Sequence, residues 1–449
     1  MTRLSEDKLG AVSGLRHSRR RTRPDGEVRT RWAWTEPAVW TNRMLTALEH
    51  GVQGGKWFRL IDKVYAGANL RAAFKRVAAN KGVAGVDHVT IKAFARHLED
   101  NLCRLERALG ERSYRPQAVR RVWIPKPGRK VKRPIGIPTV RDRVVQAALR
   151  QVLEPIFERD FAEHSYGFRP GRGCRDALRR VDALVKAGYR YVVDADLESY
   201  FDTIPHDRLL ARIREKVNDG GVLSLIEMFL KQGVLDGLRE WTPTHGSPQG
   251  AVISPLLSNV YLDPLDHLMK ERGFQMVRYA DDFVVMCRTR AEAEAALALV
   301  QAWTDGVGLT LHPQKTGIVD VEIDGVDFLG YHFQGKTRWP RKQSVVKLKD
   351  AIRAKTRRNN GHSLSYIIAD VNRTLRGWFG YFKYSHWTSF KNLDGWTRMR
   401  LRTILRRRED RYGRSRRGDL RRWPNAFFTE HGLFSLVAAH CLVRQSSSR

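Results

Sequence analysis

Apolar positions along this 449-residue chain fall into helical and strand rhythms. From Pro37 to about Arg76 they recur at helical spacing, with Trp40, Met44, Leu45 and Leu48, then Leu60, Val64 and Leu70. "NKGVAGVD" (80–87) interrupts as a loop, and helical spacing resumes through Phe94, Leu98, Leu102 and Leu105. "RRVWIPKPGRKVKRPIGIP" (120–138) predicts two short strands about a basic turn, its corners set by Pro125, Pro127, Pro134 and Pro138. A helix is expected over about Arg141–Phe157, a strand at "YRYVVDADL" (189–197), and helices around 206–217 and 222–232. Another helix should follow "GSPQG" (246–250). The stretch 275–287 predicts a hairpin, 291–303 a helix and 328–333 a short strand.

Beyond about Pro340 the pattern is helical throughout. Ile367, Val371, Leu375, Phe379 and Phe382 recur at intervals of four, four, four and three, which marks one buried face. The chain therefore predicts an α+β region followed by an all-α region, with no internal repeat.

Composition sharpens the picture. The chain carries 81 Lys+Arg against 48 Asp+Glu, a net charge of +33. Such a charge repels itself unless a polyanion is near, so nucleic acid is the expected partner. An anionic membrane surface is the competing partner, but no lipidation motif or long amphipathic basic helix dominates, so no membrane partner is expected; nor does any apolar run approach the length of a spanning helix. The basic stretch "RHSRRRTR" (16–23) lacks the apolar core of a signal peptide. Cys103, Cys174, Cys287 and Cys441 are scattered and predict neither a disulfide framework nor a zinc ribbon. A reducing, cytoplasmic setting fits them.

Against this basic background, two acidic segments stand inside apolar strands. "RYADDFVVM" (278–286) places Asp281 and Asp282 side by side in the hairpin. "VVDADLESYFD" (192–202) places Asp194 and Asp196 two apart, on one strand face. If the two strands are neighbours, one of these carboxylates comes beside Asp281 and three carboxylates cluster. Such a cluster repels itself unless cations sit within it. Two Mg²⁺ ions, hard cations suited to carboxylate and phosphate oxygens, resolve the conflict and support in-line phosphoryl transfer. The plainer alternative is a turn whose aspartates pair with some of the many arginines. Spacing alone does not choose between Asp194 and Asp196.

The segments taken together resemble group II intron-encoded reverse transcriptases. "YADD" resembles the Y-x-D-D box, "ADLESYFDTIPH" motif A and "GSPQGAVISPLLSNVYL" (246–262) motif B. "LHPQKT" (311–316) resembles motif D and "FLG" (328–330) the primer grip. "NKGVAGVD", "KRPIGIPTVRDRVVQ" and "SYGFRPGR" are similar to the family's N-terminal blocks, and "LRGWFGYF" (375–382) to the start of maturase domain X. The boxes stand in the family's order across about 40–430.

The resemblance implies a right-hand polymerase, with fingers and palm and an antiparallel palm sheet over 36–335 and a helical thumb and domain X over 336–430. A basic arm (1–35) precedes them and a tail (431–449) follows. It implies Asp196, Asp281 and Asp282 as catalytic residues. They would hold two Mg²⁺ ions with the Leu197 carbonyl as a further ligand; Asp196 is selected over Asp194 by its offset from Phe201. It implies Lys126, Arg133, Phe201, Gln249 and Lys315 as dNTP-binding residues, Phe201 as a steric gate against a 2′-hydroxyl and Lys315 beside the departing pyrophosphate. The implied partners are dNTPs, an RNA template with a DNA primer, a DNA target and group II intron RNA, held in a nucleoid-associated ribonucleoprotein. The arginine- and aromatic-rich C-terminal helices would contact that RNA. The chain ends at "LVRQSSSR" without the cysteine pairs of an endonuclease, so an endonuclease-lacking type is expected. Other readings open at this point are a splicing cofactor that needs no polymerase activity and a domesticated enzyme of host defence or repair.

Overall fold

The computed structural model describes residues 25–52, 54–125, 132–411 and 417–447. Eleven strands are present among them: β1 Val119–Pro125, β2 Lys132–Ile137, β3 Tyr191–Asp196, β4 Val234–Asp236, β5 Arg239–Trp241, β6 Gln275–Tyr279, β7 Asp282–Cys287, β8 Gly317–Asp320, β9 Val326–Phe328, β10 Tyr331–Gln334 and β11 Thr337–Pro340. They form three small sheets, ordered β2-β1-β4-β5, β6-β7-β3-β8 and β11-β10-β9. From Lys342 onward the described chain is helical.

The β6-β7-β3-β8 sheet is antiparallel throughout, and its alternation settles where charge can go. Val193, Ala195, Phe283, Val285 and Cys287 point into the largest core, together with the helices Val140–Glu158, Ser254–Glu271 and Arg290–Val307. Val192, Val284 and Met286 point into a second core shared with Phe328, Tyr331 and Phe382. Asp194 and Asp196 continue the Val192 row at two-residue steps. They share that face at the end where the apolar cover stops.

The hairpin 275–287 and the strand at 189–197 do lie side by side, as the two acidic patterns suggest. The helix expected over about Arg141–Phe157 spans Val140–Glu158, with the Thr139 hydroxyl accepting from the Asp142 N–H at its start. Ile367, Val371, Leu375, Phe379 and Phe382 of the helix Leu364–Phe382 are all buried, against Leu348, Ile352, Phe390 and Leu401 among others. The strand expected over 328–333 is broken: Leu329 and Gly330 take left-handed φ values of 45° and 83°, so β9 and β10 are separate strands.

The described parts of the basic arm and of the tail each carry a helix. Within the basic arm, Asp25–Arg31 is a helix that leads Val28 and Trp32 into the main core. Within the expected tail, Leu436–Ser447 is a helix. The Asp394 carboxylate accepts from the Leu436 and Val437 N–H groups and the Ser435 hydroxyl, fixing its start to the helix Trp387–Arg408. Part of the arginine crowding is structural as well. Arg402 donates to the Trp423 carbonyl and Asn425, and buried Arg406 pairs with Asp419 at 3.0 Å. Among the described residues, no helix is long and apolar enough to cross a membrane.

Candidate active site

Strand register brings the two acidic segments together. Asp196 at the end of β3 stands opposite Asp282 at the start of β7, and Asp194 opposite Val284. Asp281 occupies the β6–β7 turn, where Ala280 adopts a left-handed φ of 60°. The four carboxylates line one cleft of about 600 Å³ with Arg133, Lys315, Asp327 and Arg341.

Three of the four carboxyl groups are held above the ordinary carboxylate range. Burial is the main cause for Asp281, with Asp196 adding repulsion and Arg133 opposing it. Asp282 is pushed up to about 7 by burial and by Asp194, Asp281 and Asp196. Its side chain keeps solvent contact, yet protein crowds it on most sides, the position of a residue on a groove floor. Asp194 rises to about 6 through burial, then Asp196 and Asp327. Arg133, Lys315, Arg341 and Lys347 line the same cleft, yet they do not offset the burial and mutual repulsion of these three carboxyl groups.

One protein cation does reach in. Lys315 Nζ lies 2.5 Å from Asp196 Oδ2, delivered by the turn after Leu311, whose His312 N–H donates to the Asp196 carbonyl. Arg341 pairs with Asp327 at 3.1 Å rather than with the strand aspartates. Among the described residues, no three His, Cys, Asp or Glu side chains already converge tightly enough to hold a metal ion. The donor set nevertheless fits a hard cation. It is all carboxylate oxygen, its members raise one another's proton affinity, and an ammonium already sits on one of them.

The structure gathers Asp196, Asp281, Asp282, Arg133 and Lys315 in this cleft, but not every expected residue. Gln249 lines a neighbouring cavity with Pro134 and Gly136 of β2, while Arg133 of the same strand faces the carboxylates. Phe201 packs partly into the main core, edge to face with Tyr200. Its carbonyl accepts from the Ser247 N–H at 2.6 Å, tying it to the Gln249 loop. Leu197 follows Asp196 with its side chain buried, so any role falls to its backbone. Lys126 lies outside the described residues.

Sequence reading missed the support behind the turn. Arg278 is fully buried, and its Nε donates to both Asp266 carboxylate oxygens at 2.8 and 3.0 Å. Its Nη1 donates to Asn259 Oδ1 and to the Ala280 carbonyl, both at 2.9 Å. Asn259 Nδ2 in turn donates to the Gly167 carbonyl, and a Cβ on Gly167 would collide with the Ala280 nitrogen. "SYGFRPGR" therefore packs directly under "YADD". A charged residue inside an apolar strand was the available signal at Arg278, but its partner Asp266 lies on another element.

Comparison with known proteins follows the same division. Residues 124–333 match the reverse transcriptase (RNA-dependent DNA polymerase) family, and residues 345–423 match the group II intron maturase-specific domain. Protein YkfC of Escherichia coli K12 is 32% identical over 381 residues, covering 76% of this chain and 94% of that one. The group II intron-encoded protein LtrA of Lactococcus lactis is 38% identical over 196 residues, covering 43% of this chain and 32% of LtrA. A chain of a partial Cas6-RT-Cas1–Cas2 complex overlays with a TM-score of 0.36 at 25% identity, covering 55% of this chain and 41% of that one, too slight a match to argue from. With a relative matched over nearly its whole length and both domain types in their places, the chain belongs to the group II intron-encoded reverse transcriptase/maturase family, an enzyme family of RNA-directed DNA polymerases.

Proposed function

We propose that this protein is an RNA-directed DNA polymerase that works with group II intron RNA, extending a DNA primer on an RNA template and assisting the intron's splicing and movement. The observation that carries the reading is the juxtaposition of Asp196 with Asp282, with Asp281 beside them, in a cleft where Asp281 and Asp282 stay above the ordinary carboxylate range despite the basic residues on its wall. In this reading residues 36–335 are fingers and palm of a right hand, with β6-β7-β3-β8 as the palm sheet. Residues 336–430 are thumb and domain X, extended by the helix that Asp394 caps. Nucleic acid would lie in the basic groove between them, and binding should weaken as salt rises.

Asp196, Asp281 and Asp282 would hold two Mg²⁺ ions, with the Leu197 carbonyl as a further oxygen. When bound, the metal supplies charge neutralisation for attacking and departing oxygens of nucleotidyl transfer. Arg133, facing the same cleft, is placed to grip the triphosphate as a planar donor, with Lys126 as its expected neighbour across the turn. Lys315 would leave Asp196 as metal and nucleotide arrive, and its ammonium can then donate a proton to pyrophosphate. Gln249 would meet the nucleotide from the adjoining wall. Phe201, held to that wall through Ser247, would exclude a 2′-hydroxyl.

Primer extension on an RNA template with dNTPs and Mg²⁺ tests the reading. Wild type should extend, and Asp281→Ala should fall about 10³-fold or further while binding intron RNA normally. Full activity in Asp281→Ala would remove the metal assignment. Phe201→Ala should incorporate ribonucleotides more readily than wild type, and unchanged exclusion would remove the gate. A specific alternative, a maturase without polymerase function, is favoured if wild type fails to extend yet binds the intron tightly.

A further inference from the structure

Three distant parts of the chain meet beside the catalytic cleft, joined by bonds that metal binding at the aspartates does not require. The first is the two-residue turn between β9 and β10. Leu329 and Gly330 line the cleft together with the aspartates. Leu329 has a left-handed φ of 45°, a conformation that a residue with a Cβ keeps only where its surroundings impose it. The second is the helix Leu364–Phe382, whose Tyr381 Oη donates to the Leu329 carbonyl at 2.7 Å. The bond is returned from the far side of the turn, since Tyr331 Oη donates to the Tyr381 carbonyl, also at 2.7 Å. The third is the hairpin that carries Asp281 and Asp282. The Cys174 side chain bonds the Tyr279 hydroxyl on that hairpin and the Tyr381 hydroxyl as well.

The second carbonyl of the turn is also held from the C-terminal region. Gly330 accepts from the Arg341 N–H at 2.9 Å and from the Ser344 hydroxyl at 3.2 Å, both at the start of the helix Lys342–Lys355. A turn that faces the aspartates is therefore fixed by helices that follow the palm sheet in sequence. Apolar packing at this junction does not depend on the Tyr381 hydroxyl. The Tyr331 ring lies 5.1 Å from Phe382, and Trp378 lies 4.7 Å from the same ring. Phenylalanine at 381 would fill the same space, so the hydroxyl serves the Leu329 carbonyl rather than the core.

We propose that Tyr381 is a positioning residue for nucleotidyl transfer, its hydroxyl clasping the Leu329–Gly330 turn so that the primer end meets the aspartates in register. The clasp makes polymerase geometry depend on the docking of the helix Leu364–Phe382. The role rests on the polymerase reading above, in which the turn, part of the segment that resembles the primer grip, meets the primer. Small displacements of a reacting end are costly in rate, so one lost bond at this turn is felt in chemistry before it is felt in binding.

Two measurements on the full-length protein test the role. The first is single-nucleotide extension of a DNA primer on an RNA template with Mg²⁺, comparing wild type, Tyr381→Phe and Trp378→Phe. Tyr381→Phe should lower kcat about tenfold and leave both the KM for dNTP and the affinity for primer–template unchanged. Trp378→Phe thins the same core but removes no hydrogen bond to the turn, and should lower the thermal midpoint without lowering kcat. The second is hydrogen exchange, which reads the turn without turnover: the Arg341 amide should exchange faster in Tyr381→Phe than in wild type. Faster exchange with a lower kcat at unchanged KM supports the role. A kcat equal to wild type overturns it, as does a lower kcat with unchanged exchange, or an equal fall in Trp378→Phe, which would make the effect one of packing. Each of these outcomes leaves the polymerase reading intact, whereas wild type that extends no primer overturns that reading and this role with it.

Discussion

Two sites within one hairpin bury charge in opposite ways. Arg278, on β6, is surrounded by partners: both Asp266 oxygens, Asn259 and a backbone carbonyl. Three residues later, Asp281 and then Asp282 crowd against Asp194 and Asp196, with Lys315 paired to one of the four and Arg133 and Arg341 at the cleft wall. Folding alone rewards the first arrangement and penalises the second, because an unneutralised buried carboxylate costs several kcal/mol or takes up a proton. In the proposed reading, the contrast separates a charge that holds structure from charges kept for a ligand. Arg278 fixes the Ala280 carbonyl and thereby the turn; the aspartates on that turn remain available to cations from solution.

The comparison can be broken at either end, beginning with the larger effect. Arg278→Ala leaves Asp266 buried and unpaired, and should cost about 3–5 kcal/mol of stability, read as a lowered urea midpoint. A loss under about 1 kcal/mol, typical of a surface pair, would mean the network is not what holds the turn.

A smaller effect of opposite sign is expected on the acidic side. Folded-state proton affinities of Asp194 and Asp282 are raised to about 6 and about 7, so the folded state binds more protons than the unfolded one. The contribution of these groups to stability is therefore fully present below about pH 4 and lost as pH rises through about 6 to 7. Asp282→Asn should then stabilise the metal-free protein at pH 7, by about 1 kcal/mol once the solvent contact of this side chain is allowed for. The advantage should close as pH falls toward 4. A variant less stable than wild type at pH 7 would show that Asp282 is already compensated.

Much of this contrast was legible in the residues. Period-two alternation put Asp194 and Asp196 on one face, and the apolar flanks of "YADD" made the hairpin, so their meeting followed from ordinary strand pairing. The buried stripe of the helix Leu364–Phe382 was equally plain. What stayed hidden depends on long-range partners. β8, "GIVD", is four residues long and is a strand because β3 offers it an edge. The helix Cys174–Lys186 has an amphipathic face, Ala177, Leu178, Val181, Leu184 and Val185, overshadowed by the glycine- and arginine-rich run before it. The bond from Tyr381 to the Leu329 carbonyl joins residues 52 positions apart, a helix and a two-residue turn that no local pattern links.

The central claim is that the acidic face is left under-neutralised to receive Mg²⁺, and a thermal midpoint measured with and without Mg²⁺ at pH 7.5 tests it most directly. Wild type should gain stability from Mg²⁺, as any ligand of the folded state confers, while Asp281→Asn should gain far less. An equal Mg²⁺ response in both proteins would contradict the account, because the ion would then be binding elsewhere.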